Sequence, residues 1–234
     1  MRILLKDRPN NKTYPKLPTI VMIKQLMEAR RFVAAGVMAA FMFVVLASVN
    51  AQISNGLVAH FPLDSDGDST NGEFTASTVT GVEFGSDGAI GNTGTSATFN
   101  GSTSIIQHDW IAGLNPEESF TLSVWAKSDG GAGAWHSPVT SRNDLNPDSK
   151  GYLIYDNEPF GVWTFWSGNG AMDGNWQLLV GPLVTLGEWG HLAITYDNKA
   201  EMKKLYVNGE LAVEANDSVF PNDTTPLNIG TGGD

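Results

Sequence analysis

The pattern of apolar and polar positions after about residue 56 is that of short β-strands. Residues 120–127, FTLSVWAK, place an apolar side chain at every even position, the period of a strand with one buried face. Similar short runs recur between stretches rich in Gly, Asp, Asn and Ser. The other predicted strands are Leu57–Leu63, Thr80–Phe84, Ser96–Asn100, Thr103–Gln107, Ser137–Ser141, Tyr152–Tyr155, Val162–Trp166, Trp176–Val180 and Leu227–Gly230. This spacing predicts an all-β sandwich or barrel of antiparallel strands.

The strongest local signal is a hairpin in the segment from residue 190 to residue 212. His191–Tyr196 and Met202–Val207 are rich in β-branched and aromatic residues, and Asn208-Gly209 follows the second run. Asn-Gly suits a type I′ turn, whose two central residues need positive φ. The segment therefore predicts antiparallel strands joined by tight turns. One helical turn is predicted near Asn115–Glu118, because a Pro follows the Asn.

The amino-terminal region has the pattern of an export signal. Arg30-Arg31 precede the apolar run Phe32–Leu46, and Val49-Asn50-Ala51 places small residues where a signal peptidase cleaves. We expect residues 1–51 to form a signal peptide region that is cut after Ala51. The apolar run is short for a membrane span of about 20 residues. An uncleaved membrane anchor is the alternative.

The natural start of translation is expected at Met22 or Met27. The stretch before Met22 is long for the charged region of a signal peptide and contains three prolines. Residues 52–234 would then form one domain, which is large enough to bury a sizeable core.

Charge and cysteine content narrow the function of residues 52–234. After residue 51 the sequence contains six Lys or Arg and 23 Asp or Glu, a net charge of −17. Such an acidic surface argues against nucleic acid, and against any membrane contact beyond the signal segment. Because Cys is absent, disulfides and thiol chemistry are excluded. An exported domain without disulfides is more typical of bacteria than of animal extracellular modules.

Seven segments together resemble one known family. They are GLVAHFPLD at 56–64, ATFNGSTSI at 97–105, LNPEESFTLSVWAK at 114–127, GYLIYDN at 151–157, GEWGHLAITYDN at 187–198, LYVNGELA at 205–212 and PLNIG at 226–230. In this order they resemble a LamG-like jelly-roll domain of the concanavalin A-like lectin/glucanase superfamily. The resemblance implies two curved antiparallel sheets packed face to face.

The resemblance also implies a closing strand after the NIG segment, beside the first strand. The sequence stops at Asp234, so Leu57–Leu63 is expected to lack that neighbour and to expose backbone donors and acceptors. Two explanations stay open. The sequence is a fragment of a longer protein, or a strand from a partner completes the sheet.

Asp64, Asp66 and Asp68 form the candidate metal site. Carboxylates at alternate positions with a Gly among them can surround a hard cation with oxygen ligands. An EF-hand is excluded, since Ser69 and Thr75 stand where Gly and Glu are required. The family resemblance implies a structural Ca²⁺ here, with Asn71 as a further ligand. The alternative is a polar turn, which favours the same residue types.

Aromatic residues form the candidate ligand-binding group. All seven Trp lie after residue 51, and their flat faces can stack on the apolar faces of sugars. Trp125 and Trp189 lie in family strand motifs and are expected in the core. The candidate ligand-binding residues are Trp135, His136, Arg142, Tyr155, Trp163, Trp166 and Trp176. Packing in the core remains the commoner fate of such aromatics.

Sequence motifs for catalysis are absent. No strand carries an E-x-D-x-x-E run of paired carboxylates, and no G-x-S-x-G elbow occurs after residue 51. We therefore expect a secreted or cell-surface, non-catalytic module that binds polysaccharide or glycoprotein in adhesion or substrate targeting. Further domains of the same polypeptide are expected. The alternatives are an accessory module of a polysaccharide-degrading enzyme and a purely structural surface domain.

Overall fold

The computed structural model describes residues 56–90, 94–130, 135–144, 149–157, 161–170 and 176–231. The chain divides into two units, Met1–Ser54 and Asn55–Asp234, and all described residues belong to the second. The expected signal peptide region therefore lies outside the described residues. The described part of the chain contains no helix with the length and apolar character that a membrane crossing requires.

The described residues form thirteen strands and one short 3-10 turn, Ala112–Leu114. The strands are β1 Thr78–Thr80, β2 Glu83–Asp87, β3 Thr95–Thr98, β4 Ile105–His108, β5 Phe120–Lys127, β6 Trp135–Asn143, β7 Lys150–Asn157, β8 Val162–Gly168, β9 Trp176–Leu183, β10 Trp189–Asp197, β11 Met202–Val207, β12 Glu210–Asn216 and β13 Leu227–Ile229. All pairings between them are antiparallel.

Two larger sheets and one small ribbon account for these strands. The seven-stranded sheet has the order β1-β4-β13-β6-β7-β8-β9, the four-stranded sheet has the order β12-β11-β10-β5, and β2 pairs with β3. Three of the six pairings in the seven-stranded sheet join strands that are not consecutive in sequence: β1 with β4, β4 with β13, and β13 with β6. This architecture confirms the predicted all-β, two-sheet jelly-roll sandwich.

The core lies between the two larger sheets. Ile154 and Phe165 from the seven-stranded sheet belong to one buried cluster with Leu192, Ile194 and Leu205 from the four-stranded sheet. Because successive strand residues point to opposite faces, each of these strands contributes alternate side chains to the core. The same alternation leaves the intervening residues on the outer face of each sheet.

The predicted hairpin is confirmed. β11 and β12 are joined by Asn208 and Gly209, both with positive φ, at 53° and 83°. Val207 pairs with Glu210 across this turn. The ladder between β10 and β11 runs from the pair of Leu192 with Val207 to the pair of Asp197 with Met202. The Asn-Gly signal therefore identified both the turn and the register that it sets.

Two predicted elements are absent from their predicted positions. Leu57–Leu63 is not a strand, although Ala59, Phe61 and Leu63 pack on the core, because no ladder forms there and Leu63 has φ of 59°. The predicted helical turn at Asn115–Glu118 is wrong. The chain forms its 3-10 turn earlier, and Asn115 donates its side-chain amide to the Ile111 carbonyl at 3.0 Å.

Lys203 is a buried cation between the two sheets. Its ammonium on β11 donates to the Ser167 hydroxyl on β8 at 2.9 Å and lies 3.1 Å from an Asp217 carboxylate oxygen. The other Asp217 oxygen accepts from Gln177 on β9 at 3.3 Å. Burial lowers the pKa of Lys203, and Asp217 opposes that shift. The charged ammonium inside the sandwich therefore depends on Asp217.

Replacing Asp217 by Ala is expected to destabilise the fold by about 3 kcal/mol, because the Lys203 charge stays buried without its partner. Lys203→Met should cost less, because methionine fills similar space and the partly exposed Asp217 can be solvated. Urea denaturation gives both free energies of unfolding. A larger loss for Lys203→Met than for Asp217→Ala would contradict this account.

His108 on β4 is the second buried ionisable group. Its ring lies 4.6 Å from the Phe61 ring, and neither ring nitrogen has a hydrogen-bond partner among the described residues. Burial lowers the pKa of His108, while the backbone of Thr75 and the carboxylate of Asp68 oppose only part of that shift. The folded protein therefore holds this imidazole neutral at pH values where the unfolded chain protonates it.

The free energy of unfolding is expected to fall as the pH is lowered from about 7.5 to about 5, because only the unfolded chain takes up the His108 proton near the usual pKa of about 6.5. His108→Phe should flatten this part of the stability profile. The matched control is His60→Gln, at an exposed position. If the His108→Phe profile keeps the wild-type slope, protonation of His108 is not its cause.

Candidate ligand-binding face

Strand parity determines which aromatic residues reach the surface. On β7 and β8, Ile154 and Phe165 point into the core, so their neighbours Tyr155 and Trp166 point to the outer face of the seven-stranded sheet. Trp135 at the start of β6 pairs with Asn157, two residues beyond Tyr155, and therefore shares that face. Three strands thus bring together residues that are far apart in sequence.

Trp135, Tyr155 and Trp166 form an aromatic cluster on this outer face. The Trp135 ring centroid lies 5.1 Å from that of Tyr155 and 5.6 Å from that of Trp166, and the Tyr155 and Trp166 centroids are 5.8 Å apart. The Trp166 ring is near perpendicular to the other two, at 87° and 90°. Trp135 is 47% exposed, Trp166 is half-buried and Tyr155 is only 4% exposed. Tyr155 therefore supports two accessible indole rings from below.

Arg142 and Asp144 supply the polar edge of the cluster. The Arg142 guanidinium donates to the Tyr155 hydroxyl at 2.8 Å, and its Nε lies 3.2 Å from an Asp144 carboxylate oxygen. Burial raises the pKa of Tyr155, and Arg142 offsets part of that rise. The phenol consequently stays neutral in ordinary buffers. Sugar hydroxyls at this edge would meet both hydrogen-bond donors and acceptors.

Trp176 shares the outer face without joining the cluster. It lies on β9 opposite Gly168, and no ring contact to it occurs among the described residues. Leu178 and Val180 follow on the same face of β9 and are exposed, so they extend the apolar surface beside Trp166. Sequence reasoning missed these two residues. Their alternation with buried Leu179 is the signal that could have found them.

Trp163 was predicted as a ligand-binding residue, but the structure places it in the core. It is 5% exposed and belongs to the core cluster, where an added Cβ on Gly190 of the opposite sheet would lie 3.5 Å from the indole nitrogen. Trp163 and Trp166 are three positions apart on one strand and therefore point to opposite faces. A ligand at the outer face cannot reach Trp163.

His136 also lies on the side away from the aromatic cluster. It pairs with Asp156, whose carboxylate is buried, and its Nδ1 lies 3.7 Å from an Asp156 oxygen. The same oxygen accepts a hydrogen bond from the Ser128 hydroxyl. Both His136 ring nitrogens are buried without a hydrogen bond in the described part of the chain. The structure therefore does not bring His136 to the candidate face.

Trp125 is exposed, against the expectation of a core position. It is 41% exposed on the outer face of the four-stranded sheet, with its ring 4.9 Å from that of His191. The His191 Nε2 is hydrogen-bonded to the Ser123 hydroxyl at 2.8 Å. Strand alternation explains the difference, because Trp125 shares its face with Ser123 and Lys127. Trp189 is half-buried, with the Lys127 ammonium 5.6 Å from its ring centroid.

The three predicted calcium ligands each hold a different part of the backbone. Asp64 accepts from the Thr95 amide at 2.6 Å, Asp66 from the Asp68 amide at 3.0 Å, and Asp68 from the Ala76 amide at 2.8 Å. Within the described ranges, no three acidic or histidine side chains gather as possible metal ligands. The structure thus gives these carboxylates a hydrogen-bonding role, and the calcium site stays a prediction.

Solved structures with a similar fold include two with substantial coverage. Domain 4 of AbnA, a GH43 extracellular arabinanase from Geobacillus stearothermophilus in complex with arabinotriose, is 23% identical, with a TM-score of 0.54 over 75% of this chain and 84% of that chain. The botulinum neurotoxin type G receptor binding domain is 13% identical, with a TM-score of 0.50 over 71% of this chain and 40% of that chain. At these identities the likeness shows the fold.

A smaller match is the CBM40 of the Ruminococcus gnavus IT-sialidase bound to sialyllactose. It is 20% identical with a TM-score of 0.41, and the match spans 50% of this chain and 65% of the length of that chain. No curated protein matches the chain. A model of the concanavalin A-like lectin/glucanases superfamily matches residues 99–234, which is more than half of the chain. This protein therefore belongs to the concanavalin A-like lectin/glucanases superfamily.

Proposed function

We propose that this protein is a non-catalytic module that binds carbohydrate at the outer face of its seven-stranded sheet. The observation that carries this proposal is the aromatic cluster, in which Trp135 and Trp166 present accessible rings above buried Tyr155. Exposed aromatic groups of this size on a sheet surface favour a binding role, because the fold itself gains little from them.

Chemical complementarity to sugars supports the proposal. A sugar ring has apolar C–H faces and a rim of hydroxyls, so it needs flat apolar contacts beside mixed donors and acceptors. Indole rings provide the flat apolar contacts, and the Arg142–Asp144 pair provides the hydrogen-bond donors and acceptors. Domain 4 of AbnA, which has a similar fold, was solved with an oligosaccharide bound.

The distribution of carboxylates supports binding over hydrolysis. Hydrolysis of a glycosidic bond requires two carboxyl groups that flank it, about 5 to 10 Å apart. Strands β6 to β9 carry one carboxylate, Asp156, which is buried and points away from the candidate face. Among the described residues, Asp144, just after β6, is the carboxylate beside the aromatic cluster, and it is already paired with Arg142.

The biological setting belongs to the same proposal. We place the module outside the cell, on the basis of the signal-like residues 1–51 and of an acidic chain without cysteine. There it would hold a larger polypeptide on a polysaccharide or glycoprotein, either in adhesion or as the accessory module of a polysaccharide-degrading enzyme. The arabinanase origin of the AbnA domain favours the accessory role.

Trp135→Ala and Trp166→Ala are expected to weaken oligosaccharide binding about tenfold or more, which is at least about 1.4 kcal/mol. Each substitution removes an accessible stacking surface from the aromatic cluster. The measurement is isothermal titration calorimetry or affinity electrophoresis against a panel of soluble polysaccharides.

Trp125→Ala is the matched control, because Trp125 is about as exposed as Trp135 and lies on the other sheet. It should leave affinity unchanged. Urea denaturation shows whether each variant remains folded. If Trp125→Ala abolishes binding while folded Trp135→Ala and Trp166→Ala bind normally, the ligand occupies the four-stranded sheet and the proposed face is wrong.

Asp66 offers the cleanest test of the calcium prediction. Its hydrogen bonds are with Asp68 and Ser65, whereas Asp64 and Asp68 hold the more distant Thr95 and Ala76. Calcium should raise the Tm of the wild-type protein, since an ion bound only to the native state stabilises it. Asp66→Asn should lose that increase and keep the wild-type Tm in chelator. An identical wild-type Tm in calcium and chelator, with no metal found after dialysis, would refute the site.

A further inference from the structure

We propose that the ligand of the outer face is a neutral glycan, bound as a single soluble chain or chain end, and that Asp144 enforces this choice. The inference rests on the proposed function and names the class of its ligand. Two independent observations carry it. One is the state of every positive charge on the domain, and the other is the relative orientation of the rings in the aromatic cluster.

Most positive charges of the domain are already engaged. Four of the six Lys and Arg after residue 51 lie within ion-pair distance of a carboxylate, in the pairs Arg142–Asp144, Lys150–Asp223, Lys203–Asp217 and Lys204–Glu214. The Lys127 ammonium lies near the Trp189 ring, and Lys199 lies in the turn between β10 and β11, both on the four-stranded sheet.

Arg142 is therefore the cation on which an acidic sugar at the aromatic cluster would depend. A uronate or sialate carboxylate that binds there would have to share the guanidinium with Asp144, whose Oδ2 lies 3.2 Å from the Arg142 Nε. It would also approach a domain whose net charge after residue 51 is −17. Like charges at contact distance disfavour the wrong partner strongly. A neutral sugar avoids this repulsion between carboxylates.

The Arg142–Asp144 pair suits neutral sugars. A guanidinium only donates hydrogen bonds and a carboxylate only accepts them, so together they match the donor and acceptor character of sugar hydroxyls. The Asp144 side chain is 45% exposed, which leaves it accessible to a ligand. Charge-assisted hydrogen bonds to hydroxyls are stronger than neutral ones and require no net charge on the ligand.

Ring orientation excludes a flat polysaccharide surface. Binding to a crystalline face requires aromatic rings that lie in one plane, so that they contact several chains together. In this cluster Trp166 stands at 87° to Trp135 and at 90° to Tyr155, and Trp135 is tilted by 56° from Tyr155. The rings therefore form a corner, which a single sugar unit can enter.

The test is calorimetric titration of the folded domain with neutral oligosaccharides, including arabino-, xylo- and cello-oligosaccharides, and with oligogalacturonate as the acidic probe. Sedimentation with microcrystalline cellulose tests the flat surface. We expect at least one neutral oligosaccharide to bind, with an affinity that changes little with salt. Oligogalacturonate should bind at least tenfold more weakly, and the protein should stay in the supernatant above cellulose.

Asp144→Asn tests the role of the ion pair. Removing the carboxylate charge should raise the ratio of acidic to neutral affinity about tenfold, because the acidic sugar then meets no like charge from residue 144 beside the guanidinium. Glu210→Gln, an equal charge change at an exposed position on β12, is the control and should leave the ratio unchanged. An equal ratio in Asp144→Asn and the wild-type protein would overturn the role of Asp144.

The remaining outcomes separate this inference from the proposed function. Oligogalacturonate binding as tight as that of any neutral ligand, with an affinity that falls as salt rises, would overturn neutral selection and leave carbohydrate binding intact. Sedimentation with cellulose without binding to soluble chains would overturn the single-chain geometry. If the folded protein binds none of these ligands or surfaces, the proposed function itself is overturned.

Discussion

The packing of the two larger sheets against each other is the constraint on which the other features depend. Ile154 and Phe165 meet Leu192 and Ile194 in a common core, and each of these four residues is at most 1% exposed. Burial of apolar surface on this scale determines which face of every strand turns inward. Since strand side chains alternate, it also determines which residues the outer faces present. The aromatic cluster is thus a consequence of core packing on β6, β7 and β8.

Two ionisable side chains are buried between the sheets, and their burial must be compensated or lowers stability. Lys203 keeps its charge through Asp217, whereas His108 is held neutral because burial lowers its pKa and its nitrogens lack partners in the described part of the chain. The Lys203–Asp217 pair adds a constraint across the two sheets, and the neutral His108 makes stability depend on pH. Neither group lies on the outer face, so changes there should leave both unaffected.

Local patterns in the sequence were sufficient for the fold and insufficient for the site. Alternation predicted β5, and Asn208-Gly209 predicted the β11–β12 turn, because both depend on neighbouring residues alone. Leu57–Leu63 has the composition of a strand, but strand formation also requires a partner, which the local sequence does not reveal. The Thr80–Phe84 prediction likewise ran through Gly81, whose φ of 61° separates β1 from β2.

The candidate site could be predicted only in part, because it depends on the register between strands. Trp135, Tyr155 and Trp166 were chosen for their composition, and so was Trp163, which lies on the opposite face. A shift of one residue along β8 would exchange Trp163 and Trp166 between core and surface. The bulge between His136 and Val139 similarly sets the face of Trp135. A site of this kind is a property of the paired strands, and so the substitutions that test it must be judged by face as well as by residue type.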